Sequence, residues 1–142
     1  MQLSYRPYQA ADFSYCNALM EKNMGAYFTQ LGIKWDPERY AKELTKSLVW
    51  IIWLGEAKVG FVHCSEKEGS PYINSIQIAA AYRQQGIGSQ VLSWLETTYK
   101  QQNQLSIGLS VFKTSPALSL YQRLGYSICA DRGNKYLMQK SL

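Results

Sequence analysis

The chain has 142 residues, of which 46% are hydrophobic and 18% charged, and its formal net charge is +5. This length and composition predict a single domain over residues 1–142 with a hydrophobic core, and they exclude a disordered chain and a coiled coil. The longest fully apolar run, Leu48–Leu54, is too short to span a bilayer, and residues 1–13 contain no run of signal-peptide type, so we expect no membrane partner.

Three cysteines and one histidine limit the redox and metal chemistry of the chain. Cys16, Cys64 and Cys129 are odd in number and show no paired spacing, which is typical of a reduced cytoplasmic protein. A single histidine, His63, excludes a His-rich metal site and argues against a Cys/His zinc site. We therefore expect a cytoplasmic protein that holds no metal ion.

The first part of the chain predicts one strand, two helices and then three strands. One helix is predicted over residues 10–23 with Asp12 as its N-cap, and a second begins with Asp36 as N-cap and Pro37 in the first helical position. The aromatic stretch between them, residues 24–35, is predicted to be irregular. Apolar and β-branched runs predict the four strands, which are 3–8, Leu48–Leu54, 59–65 and 72–78.

The rest of the chain predicts a helix, a strand, a helix and a hairpin. Strict alternation predicts a strand over 105–111, and the following helix has Ser115 as N-cap, Pro116 in its first position and Gly125 as its stop. The last two strands join around residues 131–134, and the whole order is typical of an α/β or α+β domain with a mixed sheet. The helix that begins after Gly86 is predicted to extend to about residue 100, because apolar residues recur in it at four-residue spacing: Ile87, Val91, Leu95 and Tyr99.

The stretch YRQQGIGSQVL, residues 82–92, places Gly86 and Gly88 at the start of that helix. Unpaired backbone N–H groups and the positive end of the helix dipole meet at such a point, and glycine lets a bulky phosphate come close. A purely structural turn is the alternative interpretation. The spacing lacks the G-x-x-x-x-G-K-[ST] and G-x-G-x-x-G patterns, which excludes a P-loop nucleotidase and gives no support to a Rossmann dinucleotide site.

The positive charge is concentrated in the half of the chain that carries this turn. Residues 1–70 contain eight Lys/Arg and eight Asp/Glu, a net of zero. Residues 71–142 contain seven Lys/Arg against two acids, Glu96 and Asp131, which leaves +5. This half should attract an anion, and the two candidates are nucleic acid and a phosphorylated cofactor.

Two motifs in order relate the chain to a known family. The segment RQQGIG, residues 83–88, matches an Arg/Gln-x-x-Gly-x-Gly/Ala signature, and VFKTSPALSLYQRLGY contains a Leu-Tyr-x-x-x-Gly-aromatic pattern. By these motifs and by the order of its elements over nearly its whole length, the sequence resembles the GNAT N-acetyltransferase superfamily. The resemblance implies an α/β (α+β) fold with a mixed, mostly antiparallel sheet flanked by helices. The second pattern is filled by Leu120, Tyr121, Gly125 and Tyr126.

The resemblance also implies an acyltransferase that uses acetyl-CoA as cosubstrate and acetylates a primary amine by direct transfer through a tetrahedral intermediate. Backbone N–H groups of residues 84–89 would hold the pyrophosphate, and the strand end at 76–78 would pair with the pantetheine arm. An N–H near Ile78 would polarise the thioester carbonyl, and Tyr121 would face the sulfur as general acid. The implied cofactor-binding residues are Ile76, Gln77, Ile78, Arg83, Gln84, Gln85, Gly86, Ile87, Gly88, Ser89, Ser115 and Ala117.

Three residues have competing interpretations. Where the family often has an Asn that contacts the cofactor arm, this chain has Ser115, or Thr114 in a shifted register, and Ser115 can instead serve as a helix cap. Tyr121 lies on an amphipathic helix and by default is a core tyrosine. His63 lies on an alternating strand and is predicted to be a satisfied core or groove histidine.

The general base that deprotonates the amine is left open. The strand before the glycine turn, YINSIQI, offers no carboxylate, and the candidates, acting directly or through water, are Glu21, Glu66, Glu68 and His63. Without a strong base, an α-amino group with a pKa of about 8 is slightly favoured over a lysine-like amine near 10.4, because more of it is neutral at pH 7. The sequence does not identify the acceptor, which is either a small-molecule amine or a protein or peptide amine.

Two alternatives from other functional classes are a basic nucleic-acid-binding module and a non-catalytic acyl-CoA-binding domain on the same fold. The excess charge forms no Lys/Arg run and no reading helix is present, which argues against nucleic acid as a partner. The presence of Tyr121 separates a catalytic from a non-catalytic domain poorly. We expect either a monomer or a homodimer, and the sequence does not distinguish them.

Overall fold

The computed structural model of the protein describes residues 2–142, which form seven strands and four α-helices. The predicted order of these elements is confirmed. The strands are β1 (Leu3–Pro7), β2 (Leu48–Leu54), β3 (Ala57–Lys67), β4 (Ser70–Ile78), β5 (Ser106–Phe112), β6 (Ser127–Asp131) and β7 (Lys135–Ser141). The helices are α1 (Phe13–Gln30), α2 (Pro37–Thr45), α3 (Ile87–Gln101) and α4 (Ala117–Arg123), and 3-10 turns at Ala10–Asp12 and Ala80–Tyr82 precede α1 and α3. None of the helices within residues 2–142 is both long enough and apolar enough to cross a membrane.

Hydrogen bonds join the strands in a mixed sheet, in the order β1-β2-β3-β4-β5-β7-β6. The pairs β1–β2, β5–β7 and β6–β7 are antiparallel, whereas β4 and β5 run parallel, with Tyr72 opposite Gly108 and Ile73 opposite Leu109. A turn around Gly133, whose φ is +81°, joins β6 to β7 within the predicted range 131–134. The predicted fold class, a mostly antiparallel mixed sheet flanked by helices, is confirmed.

The chain divides into two compact units, each built from two segments of the sequence. The first contains the residues up to His63 together with Ser75–Ile87, and the second contains Cys64–Asn74 together with Gly88–Leu142. The organisation as a single acetyltransferase domain over residues 1–142 stays a prediction.

The core of the first unit is formed by α1, α2 and the strands β2 and β3. Tyr40 and Leu44 lie one helical turn apart on α2, so both point inward from the same face. They pack with Ile51 and Phe61, which are buried on the two strands. Full burial of one such side chain stabilises the fold by about 1.5–3 kcal/mol, so this cluster fixes α2 against the strands.

The buried residues of the second unit come mainly from α3, β5 and β7. Val91 and Leu95 are buried one turn apart on α3, as the four-residue spacing predicts. Ile107 and Leu109 are buried at alternating positions of β5, as a strand requires. β5 pairs with β7 from Ser106 to Phe112, and the buried Met138 lies opposite Leu109.

Helix α1 is longer than the sequence predicts, and the prediction that residues 24–35 are irregular is wrong for its first seven residues. The helix continues to Gln30 in spite of Gly25. Trp35 contacts both ends of the helix: its ring stacks on that of Phe28 in the last turns, with centroids 5.0 Å apart, and its indole N–H donates to Oδ1 of Asn17 in the early turns at 2.9 Å. Packing of the aromatic residues therefore overrides the weak local helix signal.

The predicted helix starts differ in outcome. Asp36 caps α2, since its Oδ1 accepts the N–H of Arg39 at 3.3 Å. Asp12 occupies the predicted N-cap position of α1, but its side chain makes no capping bond to this helix. Its carboxylate instead accepts the N–H of Gln9 at 2.9 Å and lies 3.3 Å from the ammonium of Lys58, so it closes the preceding 3-10 turn.

Gly60, on β3, lies against the end of β4 within the first unit. A Cβ at Gly60 would overlap the carbonyl oxygen of Gln77 and lie 3.2 Å from the Cα of Ile78. Both neighbours are backbone atoms, which cannot rotate away as a side chain can. Glycine is therefore required here by the close approach of another backbone segment.

We expect Gly60→Ala to lower the free energy of unfolding by about 1–3 kcal/mol, because β4 must shift to admit the methyl group. Urea denaturation of the variant and the parent protein measures this difference. Gly25→Ala is the matched control: a Cβ at Gly25 meets nothing within 4 Å, and the change in a helix interior should raise stability by about 0.5–1 kcal/mol. Equal stability of the Gly60 variant and the parent would contradict the steric argument.

Candidate functional site

The glycine turn, residues 83–88, leads from the 3-10 turn into α3. Its first four residues are exposed, whereas Ile87 is only 1% exposed and anchors the first turn of the helix. Gln84 and Gly86 both have left-handed backbones, with φ of +61° and +78°. A turn of this kind directs successive N–H groups to one side, and the first N–H groups of α3 have no partner within the helix. The turn can therefore bind an anion with backbone groups alone.

No neighbouring atom among the described residues requires glycine at position 88. A Cβ at Gly88 would meet nothing within 4 Å, and its φ is not in the left-handed region. A Cβ at this position in the first turn of α3 would therefore stand in open space. Glycine at position 88 leaves that space free for a ligand to approach the backbone.

The side chain of Arg83 is bound to the end of β4, whereas an exposed arginine is ordinarily expected to be surrounded only by solvent. Its Nε donates to the carbonyl of Ile78 at 3.3 Å, and its Nη2 donates to Oδ1 of Asn23. Asn23, on α1, donates to the same carbonyl and to Oε1 of Gln77, both at 3.1 Å. We call Asn23 and Arg83 the β4 clamp. Asn23 has no local sequence signal, because its partners lie 54, 55 and 60 residues further along the chain.

The peptide group after Ile78 is fixed on both sides. Its carbonyl accepts the two donors of the β4 clamp, and its N–H, which belongs to Ala79, donates to the carbonyl of Val59 at 2.8 Å. The side chain of Gln77 is buried and donates to Ser75 at 2.7 Å. The strand end that the resemblance assigns to the pantetheine arm, Ile76, Gln77 and Ile78, is thus rigidly held within the first unit.

The predicted site residues of the second unit begin with Gly88 and Ser89 and continue around α4. Ser115 Oγ accepts the N–H of Ala117 at 3.1 Å, so Ser115 serves as a cap, and α4 begins at Ala117 rather than at Pro116. Tyr121 is half-buried, and desolvation raises its pKa above the ordinary value. Its phenol is therefore neutral at physiological pH and can donate a hydrogen bond.

Both acids of the basic half of the chain are paired with lysines. The carboxylate of Glu96 lies 2.8 Å from the ammonium of Lys140, and that of Asp131 lies 2.7 Å from the ammonium of Lys113. The remaining cations in residues 71–142 carry the net charge of this half. They are Arg83, Lys100, Arg123, Arg132 and Lys135.

The four candidates for the general base differ in exposure. Glu21, Glu66 and Glu68 are exposed. His63 is 4% exposed, and burial lowers its pKa to about 4, so it is neutral at physiological pH. Its ring lies 6.4 Å from that of Tyr40, but no described residue satisfies its Nε2. The histidine is buried as predicted, whereas the prediction that it is satisfied is not met by the described residues.

Comparison with known proteins relates this geometry to one family. A family model for the acetyltransferase (GNAT) domain matches residues 45–128. The protein described as the uncharacterized N-acetyltransferase YesJ of Bacillus subtilis (strain 168) is 32% identical over 77 residues, which cover 53% of this chain and 43% of YesJ. The match thus spans less than half the length of that relative.

Solved structures share the fold at low sequence identity. The PaiA N-acetyltransferase of Thermoplasma acidophilum, in complex with coenzyme A, has a TM-score of 0.79 and 17% identity, covering 100% of both chains. The ribosomal-protein-S18-alanine N-acetyltransferase of Escherichia coli has a TM-score of 0.77 and 14% identity, covering 99% of this chain and 94% of the other. At these identities the likeness establishes the fold alone.

Proposed function

Because the chain belongs to the GNAT acetyltransferase family, we propose that it transfers an acetyl group from acetyl-CoA to a primary amine. The observation that carries this proposal is the exposed glycine turn, with its two left-handed residues at the start of α3. A PaiA structure of the same fold holds coenzyme A, which supports a CoA-type cosubstrate here. The acetyl group and the amine are inferred from the family.

In this proposal the turn binds the pyrophosphate of the cosubstrate. The N–H groups of residues 84–89 donate to the phosphate oxygens, and the helix dipole and the positive charge of residues 71–142 favour the anion. Gly86 supplies the left-handed turn, and Gly88 leaves the approach open. Ser115 is engaged in capping α4, so its contact with the cofactor arm is not part of the proposal.

A backbone hydrogen bond at the end of β4 supports the choice of the N–H that polarises the thioester carbonyl. The N–H of Ala79 is engaged with Val59, so we assign this role to the N–H of Ile78 itself. Rigid positioning matters because a preorganised donor stabilises the developing oxyanion without reorganising during the reaction. The clamp of Asn23 and Arg83 supplies that rigidity at the adjacent carbonyl.

The chemical steps follow from these groups. The neutral amine attacks the thioester carbonyl carbon, which forms a tetrahedral intermediate with negative charge on oxygen. Collapse of the intermediate breaks the carbon–sulfur bond, and the hydroxyl of Tyr121 donates a hydrogen bond to the departing sulfur. The thiolate finally takes its proton from the protonated nitrogen of the product or from water. The base that removes the amine proton is left open among Glu21, Glu66, Glu68 and His63. Since the strand before the glycine turn offers no carboxylate, an amine of low pKa such as an α-amino group is slightly favoured.

A panel of small amines and peptides, assayed for free-thiol release from acetyl-CoA, tests the proposal. We expect turnover with at least one amine, fastest among those with an amine pKa near 8. Binding of CoA without turnover on any amine would favour the non-catalytic acyl-CoA-binding domain. Tight binding of DNA or RNA at physiological salt, without CoA binding, would overturn the proposal in favour of a nucleic-acid-binding module.

A further inference from the structure

Within the second unit, Tyr121 lies against a chain of three connected side chains. The ring of Tyr126 meets that of Tyr121 edge-on, with centroids 5.9 Å apart and an interplanar angle of 61°. The hydroxyl of Tyr126 donates to Oε2 of Glu96 at 2.9 Å, and Oε1 of Glu96 lies 2.8 Å from the ammonium of Lys140. We call Tyr126, Glu96 and Lys140 the Tyr126 anchor.

Gly125 brings the two tyrosine rings together. Its φ of +99° reverses the chain after α4, and the N–H of Tyr126 then donates to the carbonyl of Tyr121 at 3.0 Å. A Cβ at Gly125 would lie 3.3 Å from Cε of Lys140, so the absent side chain also makes room for the lysine stem. The Tyr-x-x-x-Gly-aromatic pattern therefore encodes a ring pair, in addition to a helix stop.

The anchor fixes the ring of Tyr126 more firmly than apolar packing alone. Tyr126 is only 2% exposed. One carboxylate oxygen of Glu96 accepts its hydroxyl, and the other accepts the ammonium of Lys140. Hydrogen bonds to a charged group are shorter and stronger than neutral ones. The edge-on contact with Tyr121 is a favourable aromatic geometry, so a fixed Tyr126 ring restricts the directions that the Tyr121 ring can take.

We propose that Tyr126, held by Glu96 and Lys140, is a positioning residue that orients the hydroxyl of Tyr121 for acetyl transfer. This inference rests on the proposed function of Tyr121 as hydrogen-bond donor to the departing sulfur. A donor displaced by a fraction of an ångström loses much of its effect on the transition state. The anchor should therefore act on kcat through Tyr121, and it should have little effect on binding of acetyl-CoA.

A double-mutant cycle with Tyr121→Phe and Tyr126→Phe tests this inference. Tyr126→Phe keeps the ring but removes the bond to Glu96, and we expect kcat to fall by on the order of tenfold with the KM for acetyl-CoA unchanged. In the Tyr121→Phe background the same change should lower kcat no further, because the positioned hydroxyl is already absent. An equal loss from Tyr126→Phe in both backgrounds would overturn the inference.

Glu96 gives a second test that does not require changing either tyrosine. Glu96→Gln keeps an acceptor for the Tyr126 hydroxyl and should retain most of kcat, whereas Glu96→Leu should lower it as Tyr126→Phe does. Lys113→Met, which removes the other lysine–carboxylate pair of this unit, is the control for loss of charge and should leave kcat unchanged. Equal kcat for the two Glu96 variants would overturn the inference. Full kcat in Tyr121→Phe alone would overturn the proposed role of Tyr121 and, with it, the positioning role.

Discussion

Tyr121→Phe is expected to lower kcat by on the order of 10²-fold while the fold and the affinity for CoA stay unchanged. The ring contact with Tyr126 survives in phenylalanine, so only the hydroxyl is lost. In the proposed reaction that hydroxyl would contribute when negative charge develops on sulfur, and it would contribute little to ground-state binding. The measurement is kcat on the best amine of the panel, together with CoA affinity and Tm.

The raised pKa of Tyr121 favours hydrogen bonding over full proton transfer as the role of its phenol. A free phenol has a pKa of about 10 and a thiol about 8.5, so full proton transfer is uphill by about 1.5 pKa units, or roughly 2 kcal/mol. Desolvation raises the pKa of Tyr121 further, which makes full transfer still less favourable. In the proposed reaction the phenol would therefore act by hydrogen bonding, and ionisation of Tyr121 should not limit kcat below pH 10.

Tyr99→Phe is the matched control for Tyr121→Phe. Tyr99 is a buried tyrosine on α3 in the same unit, and its loss of a hydroxyl should leave kcat unchanged. Full kcat in Tyr121→Phe would make Tyr121 a core tyrosine and contradict its catalytic role. A parallel fall of kcat in both variants would point to a general effect of removing a buried hydroxyl.

Gly88→Gln is expected to weaken CoA binding tenfold or more without destabilising the fold. A Cβ at this position would meet no neighbouring atom within 4 Å, so we expect the substitution to disturb a ligand that approaches the first N–H groups of α3 rather than the fold. Losing one hydrogen bond to a charged group, about 1.5–3 kcal/mol, corresponds to at least tenfold in Kd. Calorimetric titration with CoA and a thermal melt measure the two quantities.

Gly25→Gln is the matched control for Gly88→Gln, since Gly25 is also a helix glycine with open space around its Cα. Glutamine is a better helix former than glycine, so neither variant should lose stability. An unchanged Kd in Gly88→Gln would remove the pyrophosphate from this turn. Gly86 is a poorer position for the test, because its φ of +78° strains any other residue.

The order of the elements could be predicted because each carries a local signal. β2 is a continuous apolar run with the predicted bounds Leu48–Leu54, and the spacing of Val91 and Leu95 marks the buried face of α3. The end of α1 could not be predicted, since residues around Phe28 remain helical through contacts with Trp35. Phe28 and Trp35 are only seven residues apart, but their contact depends on how the chain folds between them, which the spacing of apolar residues does not record.

Of the candidate site, the glycine turn could be predicted from sequence, whereas the contacts between distant side chains could not. The glycine turn follows from two glycines before a helical pattern, and its exposed, left-handed residues agree with an anion site. The β4 clamp and the Tyr126 anchor join residues that are far apart in the sequence: Arg83 lies 60 residues from Asn23, and Lys140 lies 44 residues from Glu96. Only the folded chain brings these partners together.

The pairing of Glu96 and Asp131 with lysines affects how fast an anion diffuses to the protein. With both acids matched at short range, the field at longer distance is that of the five remaining cations of residues 71–142. Such a field accelerates diffusion of an anion toward the protein, and it decays over about 8 Å at physiological ionic strength. The unmatched cations would therefore set how often an anionic cosubstrate arrives, whereas the short hydrogen bonds of the glycine turn would set how long it stays.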